Sequence, residues 1–128
     1  SSNSQLSCSL NEGDSGRPMT MAELKYATSI DRLIESGTIL PAHHVKIDID
    51  GQELDVLIGM INFLKSPRRP RTVQVELNGH GNDEIFGLME GLGYRLSGKH
   101  YSRSATRRLA QTGVEPESGC NAIFLRSN

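Results

Sequence analysis

Asp48 and Asp50 stand two residues apart at the end of a short apolar run, VKIDIDGQELDVL (residues 45–57), and Gly51 follows at once. Val45, Ile47 and Ile49 alternate with charged residues, which is the period of a strand. A strand that ends in carboxylates and turns at a glycine carries charge to its carboxyl tip, where open α/β sheets bind ligands. Asp48 can act there as a general base, a metal ligand or an acceptor of substrate hydrogen bonds. Its structural alternatives are capping the next helix or pairing with Lys46. Asp50 can cap that helix, and Glu53 lies in its first turn, where negative charge suits the dipole. Gly51 permits a backbone conformation or a close approach that a side chain would block.

A second group follows in TVQVELNGH. Glu76 and Asn78 end a strand and His80 comes directly after. With Asp48 they offer hard oxygen ligands of the kind magnesium accepts, although a divalent metal is not the favoured reading. Glu76 can instead simply receive hydrogen bonds from loops. His80 has the side chain whose ordinary pKa suits acid–base work near neutrality, or it is an exposed turn residue. His100 falls in or near a later strand and can face substrate. His43 and His44 precede the first strand at its opposite end and read as surface or packing residues. No serine sits at a strained strand-to-helix turn, so a Ser/His/Asp nucleophile is not supported. The basic runs KSPRRPR (65–71) and RSATRR (103–108) read as solvated loops. Within the second, Arg107 and Arg108 have forks that suit phosphate or carboxylate oxygens.

These residues need elements to position them. Val45 to Ile49 predicts a strand, and Gln52 to Leu64 a helix with Leu54, Leu57, Ile58, Ile61 and Leu64 as one core stripe. Thr72 to Leu77 predicts a strand. GHGND predicts a turn with Asn82 or Asp83 capping a helix that carries Ile85, Phe86, Leu88, Met89 and Leu92 and stops at Gly93. Tyr94 to Ser102 and Asn121 to Arg126 predict two further strands, close enough in sequence to pair antiparallel. Arg103 to Gly119 shows no periodicity and reads as a long insertion, a lid over substrate. Upstream, Thr20 and Glu23 have capping-box spacing. The preferred alternative makes Leu24 to Thr28 extended, with Ser29 capping a short helix from Ile30 to Ser36 that Gly37 stops. Residues 1–27 read as a loop or weakly ordered segment, and 28–128 as the folded α/β unit.

The chain has 128 residues, 23% of them charged and 36% hydrophobic, with a net charge of -1. That length buries roughly two-thirds of its unfolded surface. The charge balance selects neither nucleic acid nor a membrane surface, and the absence of tryptophan weakens any base-stacking platform. Cys8 and Cys120 lie far apart, in no metal spacing, and read as free thiols. No apolar run is long enough to span a bilayer, and the N-terminal residues lack the pattern of a signal peptide, so a cytoplasmic address is expected.

VKIDIDGQELDVLIGM, RTVQVELN, EIFGLMEGLGYRL and CNAIFLR, in that order and spacing, resemble the FkbM family of S-adenosylmethionine-dependent methyltransferases. TSIDRLIESG is similar to the family's segment before its fourth strand. The resemblance runs from about Thr28 to Arg126. It implies the C-terminal half of a class I, Rossmann-like methyltransferase sheet: strands four to seven with flanking helices, the last strand antiparallel. It implies an O-methyltransferase acting on a hydroxyl of a sugar, glycan or natural-product metabolite. The family's glycine motif and ribose-binding acid have no counterpart, so the chain alone is expected to be inactive and its open sheet edge to favour self-association. On this reading Asp48, Glu76 and His80 are catalytic, and Asp48, Asp50 and Gly51 lie on the cofactor side. Glu53, Asn78, His100, Arg107 and Arg108 lie on the substrate side, and no residue is assigned as a metal ligand. The alternative is a non-catalytic α/β interaction module that lacks the cofactor half.

Overall fold

The computed structural model describes residues 5–9 and 23–128. Gln5–Ser9 (β1) and Glu23–Ala27 (β2) pair antiparallel in a two-stranded sheet. The expectation of a loop is thereby corrected for residues 5–9, and the strand at 23–27 removes the helix drawn from Thr20. Thr20 itself and the side chain of Cys8 lie outside the described residues.

The larger sheet holds His44–Ile47 (β3), Thr72–Asn78 (β4), Tyr94–Tyr101 (β5) and Ser118–Arg126 (β6), in the order β3-β4-β6-β5. β3 and β4 run parallel, and β6 runs antiparallel to both β4 and β5. The carboxyl ends of β3, β4 and β5 therefore line one end of an open, mixed sheet. This is the partial Rossmann-like arrangement expected, with its final strand reversed. β3 stops two residues short of the predicted end, so Asp48 lies just beyond the last paired residue.

The core follows the two-residue period. Val73, Val75 and Leu77 of β4 stand opposite Phe124, Ala122 and Cys120 of β6, and all six are buried. Burying a valine or phenylalanine side chain contributes about 1.5–3 kcal/mol. Asn82–Gly91 (α4) lays Ile85 and Met89 against this layer, and the Phe86 and Phe124 rings meet at 5.8 Å. Gly81, in the left-handed region at φ 71, stands at the N-cap of α4 without a side-chain bond. Neither Asn82 nor Asp83 caps it as expected; the Asn82 amide instead donates to the Glu117 carbonyl at 2.9 Å.

Ile30–Glu35 (α1) is capped as predicted: the Ser29 hydroxyl accepts the Arg32 N–H, and Gly37 follows at φ 75. The helix predicted over 52–64 is two helices, Glu53–Ile58 (α2) and Ile61–Lys65 (α3). Asp31 of α1 causes the break. Its N–H donates to the Gly59 carbonyl, and its carboxylate accepts the N–H groups of Asn62 and Phe63, each at 2.8 Å. The kink turns Met60 and Phe63 inward and leaves Ile58 51% exposed, outside the predicted core stripe. The segment expected to be an aperiodic insertion contains a regular helix, Arg103–Thr112 (α5). Ser102 caps it, Gly113 ends it at φ 70, and Ala105 is its one buried residue. Among the described residues no helix is long and apolar enough to cross a membrane.

Candidate functional site

Parallel pairing of β3 and β4 brings the two predicted acidic ends side by side. Carboxylate oxygens of Asp48, Asp50 and Glu76 lie within 4.8 Å of one another. The turn that presents them is tight. Asp50 has φ 54 and Gly51 φ 105, backbone that favours glycine at the second position. Glu53 sets this geometry from inside. It is 2% exposed, and its two oxygens accept the Gly51 N–H at 3.2 and 3.0 Å. Asn78 donates its amide to the same carboxylate at 3.2 Å, while its own oxygen accepts the His80 N–H at 2.9 Å. Glu53 and Asn78 thus clamp the β3–α2 loop to the β4–α4 loop. Glu53, expected on the substrate side, faces inward and holds the two loops together.

The electrostatics follow from crowding like charges. Glu76 is pushed up to about 7, chiefly by the hydrogen bond it shares with the Asp48 carboxyl. Burial and the charges of Asp48, Asp50 and Glu53 add to the effect. Glu76 Oε2 is closed off from solvent and meets no hydrogen-bond donor among the described residues. The exposed Lys46–Asp48 pair, at 3.9 Å, is too long and too wet to offset this.

One residue of the site escaped the sequence reading. Asn121 of β6 lies directly opposite Glu76 and opposite His100 of β5. The three side chains share one face of the sheet, with His100 about 10 Å from Glu76 at two strand spacings. Asn121 Oδ1 is also shut off from solvent without a partner. Its signal was a polar residue sharing a strand face with Ile123 and Leu125. His80 is exposed in the turn after β4. Arg107 and Arg108 project from α5; Arg108 reaches the Ser118 carbonyl at 3.4 Å. Neither lines the cleft of about 360 Å³ beside the carboxyl end of β4. That cleft is acidic, with Asp83, Glu84, Glu115 and Glu117, and its Lys99 is held by Glu115 at 2.7 Å. Of the segment 103–119, Glu115, Pro116 and Glu117 line this cleft, and its arginines do not.

The arrangement offers a proton acceptor poised near neutrality, unpartnered oxygens beside it and net negative charge. The domain family described as methyltransferase FkbM matches residues 25–96, from within β2 to the start of β5. No curated protein and no solved structure matches the chain.

Proposed function

The chain belongs to the FkbM methyltransferase domain family, and from that premise we propose that it serves S-adenosylmethionine-dependent O-methylation. The acceptor is a hydroxyl of a sugar, glycan or natural-product metabolite. The observation that carries the reading is the grouping of Asp48 and Glu76 carboxylates at the ends of parallel β3 and β4, where the Asp48 carboxyl pushes Glu76 up to about 7. A general base works best when its pKa lies near the operating pH. S-adenosylmethionine, when bound, supplies an electrophilic methyl group on a sulfonium. The residues present fit the sulfonium end of such a group: Asp48 and Asp50 offer negative charge, and the Gly51 turn allows close approach. Glu76 takes the proton of the attacking hydroxyl as the oxygen–methyl bond forms. Asn121 accepts a neighbouring hydroxyl of the acceptor, and Asp48 orients Glu76. The buried free thiol of Cys120 suits a cytoplasmic setting.

The test is methyl transfer to a panel of hydroxylated acceptors by a version of the protein that carries the cofactor-binding half, read as S-adenosylhomocysteine formed. Asp48→Asn and Glu76→Gln should each lower kcat about a hundredfold or more. The wild-type rate should climb with pH and level off above about 7. A near-normal Asp48→Asn rate refutes the site. A divalent cation gathered by Asp48, Asp50 and Glu76 is a second reading, favoured by their 4.8 Å grouping. Activity that survives exhaustive chelation removes it. No turnover with any acceptor, even with the cofactor-binding half present, would return the chain to the interaction-module reading.

A further inference from the structure

The end of the sheet opposite the acidic site carries the reverse charge. A cleft of about 440 Å³ opens there between the segment before β3, the loop before β4 and the end of β6. Arg68, Arg69, Arg71, Arg126 and His43 line it, and among the described residues no carboxylate does. The whole chain is nearly neutral, with a net charge of -1. This concentration of arginine is therefore local and not part of a general basic field.

The arginines divide into scaffold and free groups. Arg69 is scaffold: its guanidinium donates to the Leu92 carbonyl at 3.3 Å and the Ser127 carbonyl at 2.7 Å and stands 5.8 Å from the Tyr94 ring centre. Arg126 gives one nitrogen to the Arg69 carbonyl at 3.5 Å. Arg68 and Arg71 are exposed and, among the described residues, hold no ion pair. The nearest acids, Asp31 and Glu35, line an adjoining cleft with Arg68. Asp31 is engaged by Asn62 and Phe63, and Glu35 by Arg32 at 3.8 Å.

The loop that carries these groups is braced. The Arg69 N–H bonds to Ser66, the Arg71 N–H to His43 at 2.7 Å, and the Arg126 N–H to the Arg71 carbonyl at 3.0 Å. Pro70 is buried, and its carbonyl accepts the Tyr94 hydroxyl. Guanidinium forks match phosphate oxygens two at a time, and here the backbone that carries them is held in place.

We propose that this cleft binds the phosphate oxyanions of a small phosphorylated ligand, at a site separate from the methyl-transfer chemistry. Pyrophosphate is the probe, titrated into the intact chain at low ionic strength by calorimetry. One saturable site of submillimolar affinity is expected. Arg68→Ala with Arg71→Ala should weaken it about tenfold or more, and the double change to lysine should weaken it less but measurably, since lysine lacks the fork. Both side chains are exposed and the Arg71 N–H is kept, so these variants fold. A control that removes two charges from α5, Arg103→Ala with Arg107→Ala, should bind as the wild type does. Absence of saturation, or an equal loss in the control, overturns the site. So does single-stranded RNA that binds tightly and is not displaced by pyrophosphate, which would make the cleft a nucleic-acid contact.

Discussion

Replacing Asp48 by asparagine should release Glu76. In the native site Glu76 rises from 4.5 to about 7. At pH 7 about one molecule in two then carries its proton, against about one in three hundred for an ordinary glutamate. The introduced amide removes the largest cause, the shared hydrogen bond, and the direct repulsion as well. Burial and the charges of Asp50 and Glu53 remain. The Glu76 midpoint should accordingly fall well below 7 yet stay above 4.5. The sign of the stability effect follows by linkage. The folded state holds this proton more tightly than the unfolded chain, so its contribution is complete below pH 4.5 and is lost as pH rises through about 7. Glu76→Gln cannot titrate, so its stability relative to the wild type should grow across that window and level off above it. The assays are a carboxyl-carbon NMR titration and thermal melts from pH 4 to 8. A wild-type Glu76 midpoint near 4.5, or one still near 7 after Asp48→Asn, refutes the coupling and the base it supplies.

Three further outcomes are expected. Asp31→Ala removes both N–H acceptors at the start of α3 and should lower unfolding stability by about 1–2 kcal/mol in a denaturant titration, with Asp31→Asn recovering part of it. Gly119→Ala should destabilise by about 1–3 kcal/mol, because φ is +74 and the new methyl would stand 3.0 Å from Ser102 Oγ; Gly87→Ala, in open space within α4, should stabilise by up to about 1 kcal/mol. Cys120 is buried and its thiol is pushed up by burial, so in a Cys8→Ser background native protein should resist iodoacetamide at pH 7.5 and react once unfolded; rapid native labelling of Cys120 would contradict the packing.

What could be read from the sequence was whatever depends on nearest neighbours along the chain. TVQVELN alternates buried and half-buried residues from end to end, so β4 and the position of Glu76 were legible. Ser29 and Gly37 bracket α1 with local chemistry, and that helix was legible too. The break at Gly59–Met60 was not, because its cause is Asp31, some thirty residues upstream. α5 was hidden for a different reason. A helix that buries only Ala105 needs no apolar stripe, and its boundary signals, Ser102 and Gly113, look like loop residues without one. At the site, the acids were visible as types and spacing, and their pairing needed parallel strands. The inward turn of Glu53 and the contribution of Asn121 depend on β4 register with partners 25 and 45 residues away and had no local signature.

The placement of β6 has a consequence for how the molecule comes into being. β4 and β5 are never hydrogen-bonded to each other; the strand between them is synthesised after both. A growing chain therefore holds two strands with bare facing edges, one of them the strand that bears Glu76, until residues 118–126 arrive. Pairings between distant segments form slowly, and unpaired strand edges invite association with other chains in the interval. Glu76 is consequently fixed between its two neighbouring strands late in folding, and a lesion in β6, the strand that sets Asn121 opposite Glu76, would be felt first as a failure to complete the site.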